Sequence, residues 1–192
     1  MPANHNTQPQ TFVPAQMDVD HLAALRLNIQ VFLEKAGATY AKPGAIVLDV
    51  APQANGGSAR YFPASTTVET LDIDPGAGCT FTADLCSTNP GIPSDRYDVI
   101  VCTEVLEHTL QPFLAVEELF RLLKPGGVLL ISTPYNFRIH GPLPDCWRFT
   151  EHGLRALLSR FNLLRLTPLE TPGRPLMPIQ YTVEAQKPIV AR

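Results

Sequence analysis

The run from Tyr97 to Thr133 constrains this chain more than any other stretch, because two apolar segments there flank one amphipathic segment. Tyr97–Cys102 (YDVIVC) shows no in–out alternation after Asp98, the pattern of a strand covered on both faces by helices. Pro112–Leu123 then places Phe113, Val116, Leu119, Phe120 and Leu123 at helical spacing, with proline in the first turn. A stop follows at Lys124-Pro125-Gly126-Gly127, and Val128–Thr133 is a second apolar strand. Strand, helix and strand joined this way run parallel, with the helix packed on one face of the sheet.

The rest of the chain extends that layered pattern. Residues 1–16 are polar and proline-bearing, without a period that could bury a face, and read as a flexible N-terminal tail. Asp18 is placed to cap a helix to about Lys35, with Leu22, Leu25, Ile29, Phe32 and Leu33 on one side and Gly37 as its stop. Strands are expected at Ala45–Val50, at Thr67–Asp72 and, more weakly, at Thr80–Ala83, with a short helical stretch near Ser58–Phe62. Thr150 is an N-cap candidate for a helix over Glu151–Arg160. Asn162–Thr167 and Ile179–Glu184 are strand-like and separated by a proline-rich connection, which suits an antiparallel pair at the C-terminal edge. One α/β domain over 17–192 accounts for all of this, built on a mostly parallel seven-stranded sheet.

Composition narrows the setting. A net charge of −3 with no long basic run argues against a phosphate-tracking surface, so no nucleic-acid partner is expected. Cys79, Cys86, Cys102 and Cys146 form no CxxC pair and read as small apolar residues in a reducing compartment. The N-terminus lacks a signal-peptide pattern and the apolar runs are too short to span a bilayer. The expectation is therefore a cytoplasmic protein with no membrane partner.

In open parallel sheets ligands bind beyond the carboxyl ends of the strands. Here those ends carry Asp49, Asp72, Asp84, the run Cys102-Thr103-Glu104, and Thr133-Pro134-Tyr135. Acids at four of five ends suit a ligand with hydroxyl and ammonium groups and do not suit a phosphate. Asp72 is placed to accept from a ribose diol, although a strand-end turn former is the alternative.

The ordered set VLDV at 47–50, ETLDIDP at 69–75, ADLC at 83–86, YDVIVCTEVLEHT at 97–109 and ELFRLLKPGGVLLISTPYN at 118–136 resembles the class I S-adenosylmethionine-dependent methyltransferases. The likeness is to the small-molecule group carrying LEH and LKPGG, and it covers roughly Ala45 to Leu158. It implies a Rossmann-like, doubly wound fold with the cofactor half at about 45–110. It also implies S-adenosyl-L-methionine as cofactor, with no metal assigned. On this resemblance Asp49, Ala51 and Gln53 line the methionine part and Asp72 holds the ribose hydroxyls. Ile73 packs on the adenine, Asp84 faces its amino group and Leu85 lies beside the ring. Cys102, Thr103 and Glu104 close the pocket through backbone contacts.

One stretch departs from the family. The x-G-x-G-x-G turn after the first strand is replaced by Val50-Ala51-Pro52-Gln53-Ala54-Asn55, with Gly56 and Gly57 arriving late. Ala51 is tolerable if its φ is negative, and Gln53 adds both bulk and an amide donor near the cofactor's tail. Weakened or rearranged cofactor binding is expected, and a catalytically silent relative is the alternative that the missing glycines motivate. A nicotinamide oxidoreductase is disfavoured by the absence of G-x-G-x-x-G.

Methyl transfer to a small-molecule acceptor follows, oxygen slightly favoured, and an oxygen acceptor needs a general base only if it must lose a proton. His108 and His140 are the candidate bases. His108 has a second reading, as a helix-start histidine bonded to neighbouring backbone or to Glu107. The segment Tyr135–Gly153 (YNFRIHGPLPDCWRFTEHG) reads as an acceptor-side loop over about 135–150. Within it Tyr135, Trp147 and Arg148 are candidate acceptor contacts, while a plain anchor for the following helix is equally open. A possible homodimer would supply any missing acceptor wall.

Overall fold

The computed structural model describes residues 13–52 and 57–189 of the chain. Helix α1 spans Gln16–Tyr40 and is followed by β1 (Ile46–Val50), β2 (Thr67–Asp72), β3 (Phe81–Thr82) and β4 (Tyr97–Thr103). Then come α2 (Pro112–Leu122), β5 (Leu123–Pro134), α3 (Glu151–Leu157), β6 (Asn162–Leu169) and β7 (Gln180–Gln186). Short 3-10 turns lie at Ala59–Tyr61, Pro75–Ala77 and Leu106–His108.

The seven strands form one sheet in the order β3-β2-β1-β4-β5-β7-β6. Pairings from β3 through β5 are parallel, and β7 runs antiparallel to both β5 and β6. Successive side chains of a strand point to opposite faces, which sorts the core into two layers. Val47, Val99, Val101, Val128 and Leu130 meet Phe32, Leu33 and Ala36 of α1. Leu48, Val50, Ile100, Cys102, Leu129 and Ile131 meet Ala115, Val116 and Leu119 of α2 and Leu154 and Leu157 of α3. Burial of β1, β4 and β5 on both faces is why their sequences lack alternation.

Three boundaries differ from expectation, each for a packing reason. Gly37 does not stop α1: it sits inside the helix, where an added Cβ would lie 2.0 Å from the Tyr61 carbonyl oxygen. Its small size lets α1 approach the 3-10 turn, and the helix ends only before Ala41-Lys42-Pro43. At the other end Ala15, without a side-chain cap, precedes α1, so Gln16 belongs to the helix and Asp18 lies in its first turn. On α2 Phe113 is 64% exposed, and the buried face is instead Pro112, Ala115, Val116, Glu118, Leu119 and Leu122. The expected tail falls, for residues 1–12, outside the described residues. No described helix is long and apolar enough to cross a membrane.

Candidate active site at the carboxyl ends of the strands

A cleft of about 700 Å³ opens where the carboxyl ends of β1 and β4 meet the N-terminal half of α1. Asp49, Val50, Ala51, Pro52, Gly57 and Ser58 form one side; Thr103, Glu104, Phe137, Arg138 and His140 form the other. A depression of about 680 Å³ between α1 and the Ala59–Tyr61 turn lies away from the strand ends.

The first side is the turn whose glycines are missing. Ala51 adopts φ +50, so an alanine holds the left-handed conformation that glycine takes at no steric cost. The expectation of a negative φ is therefore corrected; its N–H donates to the Leu71 carbonyl at 2.7 Å, which pins the turn to β2. Asp49 is 4% exposed and its Oδ2 accepts from the Ser58 N–H at 2.6 Å. A Cβ on Gly57 would stand 2.7 Å from that same oxygen, so Gly57 is required where the returning chain crosses the aspartate. Burial pushes the Asp49 carboxyl up, and the Ser58 amide opposes the shift. Gln53, Asn55 and Gly56 lie outside the described residues.

Farther along this side, the expected adenosine contacts stand at the open β2–β3 edge. Asp72 is half-buried and its Oδ1 accepts from the Asp74 N–H at 2.9 Å. Ile73 is 68% exposed, a bare apolar side chain beside that carboxylate. Asp84 is exposed and its Oδ1 accepts from the Cys86 N–H at 2.8 Å. Leu85 is placed otherwise: it is buried in the core cluster under α2 and does not stand in the crevice, while Cys102, expected to act through its backbone, buries its side chain in the same cluster. The Cys102 thiol is wholly enclosed, and burial raises it far from ionisation.

The second side is a buried polar cluster. Glu104 holds φ +54, its Oε1 accepting from Ser132 Oγ at 2.7 Å and Gln180 Nε2 at 2.8 Å. Gln180 in turn accepts from Asn28 of α1 at 2.7 Å, a chain of polar contacts across three elements. Burial raises the Glu104 carboxyl to about 7, against the pull of its two donors. Glu107 is 0% exposed and neither carboxylate oxygen has a hydrogen-bond partner among the described residues. Burial, then the nearby Glu104, pushes Glu107 well above the ordinary carboxylate range.

The two histidines flank Glu107, with ring centroids 4.9 Å apart. His108 Nδ1 meets the Pro144 carbonyl at 3.0 Å, which leaves its Nε2 facing Glu107 Oε1 at 3.8 Å. His140 Nε2 lies 3.8 Å from the same oxygen, and its Nδ1 is 3.1 Å from Asp145 Oδ2, close but not aligned as a hydrogen bond. Burial lowers His140, opposed by Asp145, so its ring is neutral near pH 7. These contacts match the reading of His108 as a histidine tied to backbone and Glu107, with the distant Pro144 carbonyl in place of a neighbouring one. His140 is the histidine on the cleft wall.

The remaining loop candidates have structural duties. Arg148 forks onto Asp145 at 2.5 and 2.7 Å and spends its other donors on the carbonyls of Phe137, Arg138 and Trp147. Every guanidinium N–H is engaged, so Arg148 does not reach for an acceptor anion; it locks the loop carrying His140. The same fork holds the Asp145 carboxyl below the usual range. Trp147 donates from Nε1 to the Thr109 carbonyl at 2.7 Å and stacks on Phe149, and the Cys146 and Trp147 amides bond the Glu107 carbonyl. Tyr135 packs edge-on to Tyr181. Of the expected core anchors Phe149 is buried, whereas Trp147 is 41% exposed, and Thr150 caps α3 through the Gly153 N–H as expected.

Sequence reasoning missed Glu107 as the centre of the cluster, although it stands in the LEH triplet. It also missed Gln180 and Asn28, whose roles depend on contacts 76 and 152 residues away in the chain.

The cofactor fits this geometry on one observation above others: Ala51 keeps a glycine-like φ of +50 beside the buried Asp49 at the end of β1. Comparison with known proteins agrees. Residues 20–167 match the model of a methyltransferase-domain family. A ubiquinone biosynthesis O-methyltransferase of Proteus mirabilis is 33% identical over 124 residues, 57% of this chain and 48% of that protein. Its Sodalis glossinidius counterpart is 30% identical over 166 residues, 79% of this chain and 59% of that one. The chain spans about half the length of these curated relatives.

Solved structures share the fold at low identity. A methyltransferase of Burkholderia thailandensis acting at N1 of 1,6-didemethyltoxoflavin matches with TM-score 0.57 and 18% identity, over 96% of this chain and 98% of that one. An S-adenosylmethionine-dependent methyltransferase of Aquifex aeolicus matches with TM-score 0.59 and 20% identity, over 89% and 99%. The cyclase SpnF matches with TM-score 0.63 and 17% identity, over 88% and 82%. With its domain model and strand order agreeing, the chain belongs to the class I S-adenosylmethionine-dependent methyltransferases, whose cofactor is S-adenosyl-L-methionine.

Proposed function

We propose that this chain transfers a methyl group from S-adenosylmethionine to an oxygen of a small-molecule acceptor. The observation that carries this reading is the cleft itself, which joins the Asp49–Ala51 turn on one side to Glu104 and His140 on the other. When bound, the cofactor supplies a methyl group already activated on a sulfonium, so the protein's work is alignment and exclusion of water. Asp49 would orient the ammonium end and Asp72 the ribose diol. Glu104, held by Ser132 and Gln180, and His140, held by the Arg148-locked loop, would stand on the acceptor side. His140, neutral near pH 7, is able to take a proton from an acceptor hydroxyl.

The curated relatives named as O-methyltransferases favour oxygen, while the N1-methyltransferase of similar fold shows that the fold alone does not decide the atom. The catalytically silent alternative rests on the missing glycines; weighing against it, Ala51 holds the left-handed φ that glycine takes at no steric cost. The test is incubation with S-adenosylmethionine and a panel of phenols and catechols, followed by mass spectrometry. A mass gain of one CH₂ together with release of S-adenosylhomocysteine is expected. Failure to bind S-adenosylhomocysteine at millimolar concentration would sink the reading.

A further inference from the structure

We propose that Glu107, His108 and His140 form a binding site for a first-row divalent cation, whose open positions face the acceptor side of the cleft. The place given to an acceptor oxygen rests on the methyl-transfer reading above; the cation site itself does not. One ligand atom from each of the three residues lies within 4.8 Å of the others.

Four features of the cluster point to an ion. Glu107 is fully buried with two oxygens that no described group satisfies. A carboxylate in that state costs several kcal/mol, and buried acids are ordinarily paired or bound to metal. Second, both histidine Nε2 atoms stand 3.8 Å from one oxygen, Glu107 Oε1. That separation is too long for a hydrogen bond. It is near the span of about 3.4 Å that two metal–ligand bonds of about 2.1 Å make at a tetrahedral angle.

Third, each ring turns its Nδ1 toward an oxygen: Pro144 O for His108, at 3.0 Å, and Asp145 Oδ2 for His140, at 3.1 Å. His108 is held as a metal-ligating imidazole is, its far nitrogen on a carbonyl and its near nitrogen's lone pair left for the ion; at His140 the Asp145 carboxylate stands close without a ring hydrogen bond. Asp145 is clamped by Arg148 and accepts from the His140 backbone N–H at 2.9 Å, so His140 is fixed through its main chain. Fourth, three protein ligands leave coordination positions open, as in sites that bind a substrate or water. His140 belongs to both the cluster and the cleft wall, and Glu104 borders the same wall.

The chemistry of the donors selects the ion. Two imidazoles and one carboxylate suit the manganese-to-zinc series, and calcium prefers a shell of six to eight oxygens. An ion here would supply the partner that the buried Glu107 oxygens lack among the described residues. With it bound, His140 Nε2 is a ligand and not a base, and the ion would take over that work by drawing an acceptor oxygen and easing loss of its proton.

The deciding experiment is a titration of chelator-stripped protein with Co²⁺, followed by visible absorption and calorimetry, without cofactor or acceptor. A single saturable equivalent that Zn²⁺ displaces is expected. Glu107→Gln and His140→Ala should each weaken Co²⁺ binding at least about tenfold, and Asp145→Asn by about tenfold through loss of the hold on His140. His152→Ala, changing an exposed histidine outside the cluster, should leave it unchanged. Circular dichroism checks the fold of each variant, and if Glu107→Gln does not fold, His140→Ala decides. No saturable Co²⁺ binding, or equal binding by wild type and the folded cluster variants, overturns the site. S-adenosylhomocysteine binding by the same stripped protein keeps the two readings apart: its presence without Co²⁺ binding removes the cation alone.

Discussion

The open β2–β3 edge and the buried cluster behind β4 and β5 are built on opposite principles. At the edge, Asp72, Asp74 and Asp84 each accept from the backbone N–H two residues on, at Asp74, Gly76 and Cys86. These are self-contained turns at strand ends, exposed and ready-made. In the cluster, Glu104 is held by Gln180, 76 residues away, and His108 meets a carbonyl 36 residues away. His140 depends on a loop whose arginine makes bonds to four residues. Local turns order the edge carboxylates without help from the rest of the fold. Long-range polar contacts, which need the finished fold, order the cluster.

Substitutions that separate local from long-range order test the contrast, and the largest effect belongs to the cluster. Arg148→Ala removes the guanidinium from the Asp145 side chain, 0% exposed, leaves it the His140 N–H alone as hydrogen-bond donor, and loosens the loop that carries His140. We expect a loss of about 3 kcal/mol in urea denaturation, the usual scale for breaking a buried pair from one side. A change within experimental error would mean that the loop is held by other contacts. At the edge, Asp72→Ala should raise the S-adenosylmethionine dissociation constant at least about tenfold, through loss of a charge-assisted acceptor. Its stability should fall by no more than about 1 kcal/mol, because the lost bond is local. An unchanged dissociation constant would remove Asp72 from the cofactor site.

That division also explains what the sequence made legible. The β1–β4–β5 core was readable because burial on both faces erases alternation, and Thr150 because an N-cap needs only the Gly153 N–H three residues on. Asp49, Thr103, Glu104 and His140 meet in one cleft because strand ends converge by topology. Arg148 misled for a physical reason: a loop rich in charge and aromatic surface looks the same whether those groups face a ligand or each other. Gly37 misled likewise, since a glycine marks either a helix end or a close approach, and only Tyr61 across the interface distinguishes them. Glu107 was invisible as a centre because its burial comes from the Tyr135–Gly153 loop folding back over the Leu106–His108 turn.

Two smaller effects sharpen the comparison. Thr150→Ala should cost about 1 kcal/mol by loss of the α3 cap, measured as a shift in urea midpoint at unchanged slope. Ala51→Gly should stabilise the fold by about 0.5 kcal/mol, since relief of a left-handed alanine exceeds the added chain entropy of glycine. A destabilised Ala51→Gly variant would show that the turn needs the methyl group for packing.

The central claim, that a turn without its usual glycines still holds the cofactor at the strand ends, is tested most directly by calorimetric titration with S-adenosylhomocysteine. The account predicts a saturable isotherm of one site with a dissociation constant in the micromolar range, about −8 kcal/mol, weakened at least about tenfold in Asp72→Ala. Absence of heat and of thermal stabilisation at millimolar ligand would contradict it.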